Sequence, residues 1–175
     1  MGLIKKILFA VFGVIAVFLV VGLFLPSNFD VQRKVEINAS AEQVYAKVAD
    51  LRAWKTWGVW FERDPNMQVT YTGDVATVGM KSSWISEQEG SGEMTITKLE
   101  SNKMVQYSLY FPDFDMGSTG ELTLVETDNG TQVIWRDYGD VGFNPVNRYF
   151  AVMMDSMIGP DFEAGLANLK NVVEN

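Results

Sequence analysis

The chain has 175 residues, a formal net charge of −8, and neither cysteine nor histidine. These absences exclude disulfides, thiolate or imidazole metal sites, and hydrolases that depend on Cys-His or Ser-His-Asp groups. The acidic balance makes nucleic acid a poor partner, and any enzyme built on this sequence must use carboxylates, tyrosine, lysine or arginine.

An uncharged run of 19 residues, 7–25, follows Lys5 and Lys6 at the start of the chain. As a helix it is roughly 28 Å long, close to the thickness of a bilayer's hydrocarbon core. A cleaved secretory signal is the alternative, but its apolar region is usually about 7 to 15 residues long and ends in small residues. This run instead ends in bulky residues before Pro26. We therefore expect residues 1–26 to form a single-pass anchor in the inner membrane.

Charge sets the expected orientation of this anchor and the character of the remaining chain. Lys5 and Lys6 are the only charged residues before Asp30, which predicts a cytoplasmic N-terminus and an extracytoplasmic C-terminal part. That part keeps 12 of the 14 basic residues against all 22 acidic ones, a net charge of −10. We expect residues 27–34 to form a short linker and the start of the first strand, and residues 35–175 to form one domain.

The first predicted elements are a strand and two short helices. Apolar and polar residues alternate over 31–37, as in a strand with one wet face. Ser40 and Gln43 form a capping box that begins a short helix. After it, a second short helical turn carries Trp54, Trp57 and Trp60, whose spacing favours burial against a sheet over a cage for a cationic ligand.

The rest of the chain predicts an antiparallel meander and a long final helix. The predicted strands, separated by turn residues, span residues 67–72, 80–86, 92–99, 104–111, 118–126 and 131–137. The clearest hairpin signal is Asn129-Gly130. Asn144 caps the last helix, which we expect to continue to about residue 173 with a kink at Pro160.

Several short segments resemble the SRPBCC or START-like superfamily, in particular the bacterial polyketide cyclase/dehydrase-like proteins. The segments are residues 35–40, 44–45, 50–57, 92–96, 130–135 and 165–170. The resemblance implies an α+β helix-grip fold, in which a curved antiparallel sheet of about seven strands wraps a long C-terminal helix and two short helices follow the first strand. Members include lipid carriers, hormone binders and aromatase/cyclases, so the resemblance implies a cavity and little about chemistry.

Strand alternation and helical spacing supply the candidate ligand-binding residues, which are apolar or aromatic. They are Trp84, Met94, Tyr107, Leu109, Phe111, Trp135, Phe150, Met153, Met154 and Met157. The pattern by itself is typical of a filled core. The resemblance instead implies a pocket between the sheet and the last helix, and we expect it to hold a hydrophobic or amphipathic, lipid-like molecule.

Two residues in the predicted pocket could exchange a proton, Asp155 and Tyr107. Asp155 can equally pair with Arg136 or Arg148, so a catalytic role is weakly indicated. The sequence indicates no metal site and no cofactor, and it does not identify a protein partner. We expect a binding module rather than an enzyme. The alternatives are a polyketide cyclase or aromatase-like enzyme and an envelope interaction or scaffold protein.

Overall fold

The computed structural model describes residues 2–175 and has the predicted order of elements. Its four α-helices in this range are α1 (Leu3–Phe24), α2 (Ala41–Val48), α3 (Val59–Arg63) and α4 (Pro145–Glu174). The seven strands are β1 (Asn28–Ile37), β2 (Gln68–Thr72), β3 (Lys81–Ser86), β4 (Gly90–Glu100), β5 (Met104–Phe111), β6 (Met116–Thr127) and β7 (Gly130–Asp140). The predicted helix-grip fold is thus confirmed.

All strand pairs are antiparallel, and the spatial order is β1-β7-β6-β5-β4-β3-β2. The first strand therefore pairs with the last, which places β1 beside α4 at one edge of the sheet. A one-turn 3-10 helix, Ala53–Thr56, lies between α2 and α3. Helix α2 contacts β6 and β7, next to α4, which contacts β1 and β7.

Local signals account for most element boundaries. The Ser40 side chain accepts a hydrogen bond from the Gln43 backbone, and the Gln43 side chain accepts one from the Ser40 backbone, so the predicted capping box begins α2. Gly130 has φ of 138° in the turn between β6 and β7, a conformation that glycine adopts without strain. Strand β1 begins at Asn28, three residues earlier than predicted, because Phe29 also faces inward and is buried.

Aromatic side chains fill the space between the sheet and its helices. Trp135 of β7 stacks on Phe162 of α4, with ring centroids 4.1 Å apart. Three further indoles meet Trp135 edge-on, with centroids 5.3 to 5.9 Å away: those of Trp54, Trp57 and Trp60. Trp54 and Trp57 are buried, as predicted. Such edge-to-face pairs add to the stability that burial alone provides.

Arg33 of β1 also connects the sheet to α4, through two ion pairs. Its guanidinium bridges Asp155 and Glu163, at 2.8 and 2.6 Å, and lies over Gly159, where a larger residue would displace it. These ion pairs are partly exposed, so each stabilises only slightly. Together with the Trp135–Phe162 stack they determine where the middle of α4 crosses the sheet.

Gly120 of β6 makes room for the ring of Tyr107, its neighbour on β5. A Cβ atom at position 120 would overlap the Cζ and hydroxyl oxygen of Tyr107. We expect Gly120→Ala to lower the free energy of unfolding by about 1–3 kcal/mol, since the ring must leave its place over residue 120 and give up its hydrogen bond with Trp135. Urea unfolding followed by circular dichroism measures this.

A double-mutant cycle with Tyr107→Leu isolates the cause, because leucine lacks the atoms that would overlap. In that background the alanine should be neutral or stabilising, since glycine inside a strand costs about 0.5–1 kcal/mol relative to alanine. An equal penalty in both backgrounds would contradict this account of Gly120.

Candidate functional site: a cavity between the sheet and the last helix

An apolar cavity of about 210 Å³ lies between the inner face of the sheet and the first half of α4. The short helices contribute Trp54, Trp60 and Phe61 to its wall, and α4 contributes Met154, Ile158 and Phe162. Beside the cavity, the stacked rings of Trp135 and Phe162 fill the space between the sheet and α4.

Six of the ten predicted ligand-binding residues line this cavity. They are Trp84, Met94, Tyr107, Leu109, Phe111 and Met154. Trp84 lies across Gly92 on the neighbouring strand and meets Phe111 edge-on at 6.0 Å. Strand periodicity located the strand residues, because alternate side chains share one face of a sheet.

The other four residues lie outside the cavity wall. Trp135 is fully buried in the core beside it. Phe150, Met153 and Met157 were expected to face the sheet, but they are 44%, 52% and 49% exposed on the outer side of α4. The expected orientation of this helical stripe is therefore corrected.

The stripe of α4 that faces the sheet is offset by one residue from the predicted stripe. The residues of α4 that face the cavity are Met154, Ile158 and Phe162, four apart. Met153 and Met157 immediately precede two of them, and one residue turns a helix by about 100°. Both stripes are apolar and have helical spacing, so periodicity could not distinguish the buried one from the exposed one.

Asp137 is a buried polar residue of the cavity wall that was not among the predicted site residues. It lies on the inner face of β7, two residues after Trp135, and is buried. Its Oδ2 accepts a hydrogen bond from the Ser118 hydroxyl at 3.0 Å. Burial raises the pKa of Asp137 to about 7, and the Ser118 bond offsets this only in part. The sequence contains a signal for this residue. Strand alternation places Asp137 on the same face of β7 as Val133 and Trp135, whose side chains are apolar.

Tyr107 lies close to Asp137. Its hydroxyl accepts a hydrogen bond from Trp135 Nε1 at 2.8 Å. Burial, and secondarily the nearby Asp137 carboxylate, raise the pKa of Tyr107 well above its ordinary value. The phenol therefore keeps its proton at physiological pH and remains a hydrogen-bond donor.

Asp155 lies outside the cavity wall that contains Tyr107 and Asp137. Its side chain is 63% exposed and pairs with Arg33, not with Arg136 or Arg148 as considered from the sequence. The hydrogen bond from Arg33 lowers the pKa of Asp155. An ionised, exposed, paired carboxylate outside the cavity wall lacks the environment of a general base, so Asp137 replaces Asp155 as the candidate acid-base group.

An ion-pair network borders the cavity. Arg63 of α3 binds Glu89, in the turn between β3 and β4, and Asp161 of α4, each at 2.8 Å. Glu89 also lines the cavity wall. Its negative charge is thereby compensated, which leaves Asp137 as the wall acid without a cationic partner among residues 2–175. No group of three or more acids in that range could hold a metal ion.

The comparisons with known proteins agree with this architecture. A family model described as polyketide cyclase / dehydrase and lipid transport matches residues 28–174. The comparison with curated proteins gives no match. The resemblance inferred from the sequence segments is confirmed by the family match.

Solved structures with low sequence identity share the fold. Protein MLL2253 from Mesorhizobium loti is 18% identical, with a TM-score of 0.58, over 81% of this chain and 97% of its own. Protein SA2116 from Staphylococcus aureus is 15% identical, with a TM-score of 0.61, over 85% and 97%. The Aha1 protein from Colwellia psychrerythraea, solved as a dimer, is 21% identical, with a TM-score of 0.54, over 83% and 96%.

The raised pKa of Asp137 predicts a specific pH dependence of stability. The unfolded carboxyl releases its proton near pH 4, whereas the folded one keeps it to about pH 7. Between these values only the folded state binds the proton, so this group's contribution to the free energy of unfolding falls as pH rises and is constant above 7. The expected fall is on the order of 4 kcal/mol.

Urea unfolding from pH 4 to 8 measures this effect as the difference between the unmodified protein and Asp137→Asn. Asp155→Asn is the matched control and should show a nearly constant difference over this range, because a carboxyl whose pKa is lowered from 3.8 titrates below it. A difference that stays constant between pH 4 and 7 for Asp137→Asn would contradict the assignment.

Proposed function

Because the chain belongs to the polyketide cyclase / dehydrase and lipid transport family, we propose that it binds a small apolar molecule in the cavity under α4. The observation that carries this proposal is the cavity itself, which has apolar walls and few polar groups, the usual form of a small-molecule site. The proposed binding residues are the six predicted wall residues together with Asp137 and Ser118.

Cavity volume limits the size of the ligand. A dry cavity of about 150 Å³ accommodates benzene. By that comparison 210 Å³ takes on the order of ten non-hydrogen atoms, so a complete phospholipid does not fit. One or two fused rings, or a short alkyl or isoprenoid segment, match the space enclosed.

We also propose that α1 anchors the domain in the inner membrane. The 22-residue helix is long and apolar enough to span a bilayer, and Gly22 is its buried residue, so its side chains need an apolar environment. A signal sequence passes the same test. Contacts between α1 and the domain favour retention, because cleavage would remove them.

The contacts in question join the end of α1 to the beginning of α4. Arg148 donates to the carbonyl oxygens of Leu23 and Leu25, groups that the helix leaves without internal partners. The ring of Tyr149 stacks on Phe18 at 4.2 Å, and its hydroxyl donates to the Phe18 carbonyl. Tyrosine and arginine are typical of the boundary between membrane and water.

The anchor also holds the cavity near the membrane. Phe29 lines the cavity and lies five residues after Phe24, the last residue of α1. Five residues reach at most about 18 Å. An apolar ligand that partitions into the bilayer is therefore concentrated close to the site that binds it.

A second candidate function is proton-transfer catalysis of the polyketide cyclase type. The observation that favours it is the buried Asp137, since a general acid or base works best with a pKa near the operating pH. The two functions differ in the effect of Asp137→Asn: an enzyme would lose turnover while still binding its ligand, whereas a binding protein has no turnover to lose.

Neighbouring methionines of α4 test the binding site. Met154→Trp should fill the cavity and reduce the affinity for naphthalene at least tenfold, because the larger ring occupies the ligand's space. Met153→Trp, on the exposed side of the same helix, should bind naphthalene as the unmodified protein does.

Binding is measured by the methyl resonances of 13C-methyl-methionine in the full chain, reconstituted in lipid nanodiscs. Met94 and Met154 report from the cavity wall, while Met153 and Met157 serve as internal references. Naphthalene that shifts only the exposed methionines, or an equal loss of affinity in both variants, would refute the cavity as the binding site.

The absence of cysteine allows single-cysteine variants to test the anchor and its orientation. Ile85→Cys, at a position 66% exposed on β3, should react with a membrane-impermeant maleimide in intact spheroplasts. Val14→Cys, in the middle of α1, should stay unreactive even after lysis because it lies in hydrocarbon. Reaction of Ile85→Cys only after lysis would reverse the orientation, and a mature protein lacking residue 14 by mass spectrometry would identify α1 as a signal sequence.

A further inference from the structure

We infer that the ligand carries a hydroxyl group, held between Tyr107 and Asp137 on the inner face of the sheet, so that the site selects apolar alcohols or phenols. This inference rests on the proposed binding function and specifies the ligand class for the same cavity. It is supported by two polar groups of the wall, the Tyr107 hydroxyl and the Asp137 carboxyl, because each can form one more hydrogen bond than the protein provides.

The sheet register brings these two groups together. Tyr107 pairs with Gly120, and Gly120 pairs with Asp137, so the three residues are aligned across β5, β6 and β7. The Tyr107 ring lies over Gly120, with its hydroxyl at the space a Cβ atom would take. The hydroxyl is therefore about one strand spacing, roughly 4.8 Å, from the backbone of Asp137.

Each group has one hydrogen-bonding function that the protein leaves unused. The Tyr107 oxygen accepts from Trp135, but no acceptor for its own proton lies among residues 2–175. Oδ2 of Asp137 accepts from Ser118, and within the same residues no donor reaches Oδ1. Above about pH 7, where Asp137 is ionised, the wall thus offers one donor and one acceptor side by side, in surroundings where unmade hydrogen bonds are costly.

A hydroxyl is the ligand group that satisfies both, because it accepts one hydrogen bond and donates another. A carbonyl can only accept and would leave Oδ1 of the ionised Asp137 unpaired. An ammonium group can only donate and would leave the Tyr107 proton unpaired.

Charge excludes anionic groups from this position. No lysine or arginine lines the cavity in the described part of the chain. A carboxylate or phosphate placed here would lie beside Asp137 without a compensating cation, which is unfavourable for two buried acids. The site therefore discriminates against fatty acids and phosphate head groups, and favours neutral hydroxyl compounds of the same carbon skeleton.

Three ligands that share one ring system test the inference: naphthalene, 2-naphthol and 2-naphthoate. Affinities are measured at pH 8, where Asp137 is ionised, for the full chain in nanodiscs from the Met94 and Met154 methyl resonances, and corrected for partition of each compound into lipid. We expect 2-naphthol to bind about tenfold more tightly than naphthalene, and 2-naphthoate to bind more weakly than both.

Two variants connect the preference to the named residues. In Tyr107→Phe and in Asp137→Leu, the ratio of 2-naphthol to naphthalene affinity should fall from about ten toward one. Asp137→Asn retains a side-chain oxygen acceptor and should keep part of the preference. Tyr110→Phe, on the same strand as Tyr107, loses an exposed hydroxyl that donates to Asp115 in the turn after β5; it is the matched control and should leave the ratio unchanged.

The outcomes separate this inference from the proposed function. If naphthalene does not bind at all, the proposed cavity function fails. If naphthalene binds and 2-naphthol binds no more tightly, or if the preference survives in both Tyr107→Phe and Asp137→Leu, the hydroxyl site is refuted while the cavity function stands. Tighter binding of 2-naphthoate than of 2-naphthol also refutes it.

Discussion

The contacts of the Trp135 indole position the sheet, the short helices and α4 relative to one another. The indole stacks on Phe162 of α4, meets the three indoles of the short helices edge-on, and donates its N–H to Tyr107. Gly165, one turn after Phe162, keeps the helix close at this point, because a Cβ atom there would lie 2.9 Å from the Trp135 ring. The sheet, the short helices and α4 therefore all take their relative positions from one side chain.

The cavity is a consequence of this arrangement. Rigid aromatic rings close the space on one side of Trp135, and the first half of α4 extends away over strands that carry Gly92 and Gly120 in place of larger residues. These glycines let Trp84 and Tyr107 lie flat across neighbouring strands, which leaves volume above them. The same contact orients the Tyr107 hydroxyl toward Asp137, so the packing that creates an apolar cavity also places two polar groups in it.

The helix that carries the cavity wall also carries the contacts to α1. Within α4, Arg148 and Tyr149 bind the end of α1, Met154 and Ile158 line the cavity, and Phe162 stacks on Trp135. A displacement of α1 relative to the sheet would therefore be transmitted through a single rigid element to the cavity wall.

The sequence by itself determined the fold class, the order of elements, the capping box, the tight turn at Gly130 and the apolar first helix, because these depend on local periodicity, capping and turn chemistry. It also located the strand residues of the cavity, since alternation along a strand defines one face. Only the tertiary structure decided which of two apolar stripes of α4 faces the sheet, that Arg33 is the partner of Asp155, and that Asp137 is buried in the cavity wall. Each of these depends on how α4 rotates and crosses the sheet, which is set by the distant contact between Trp135 and Phe162 and leaves no periodic signal in the sequence.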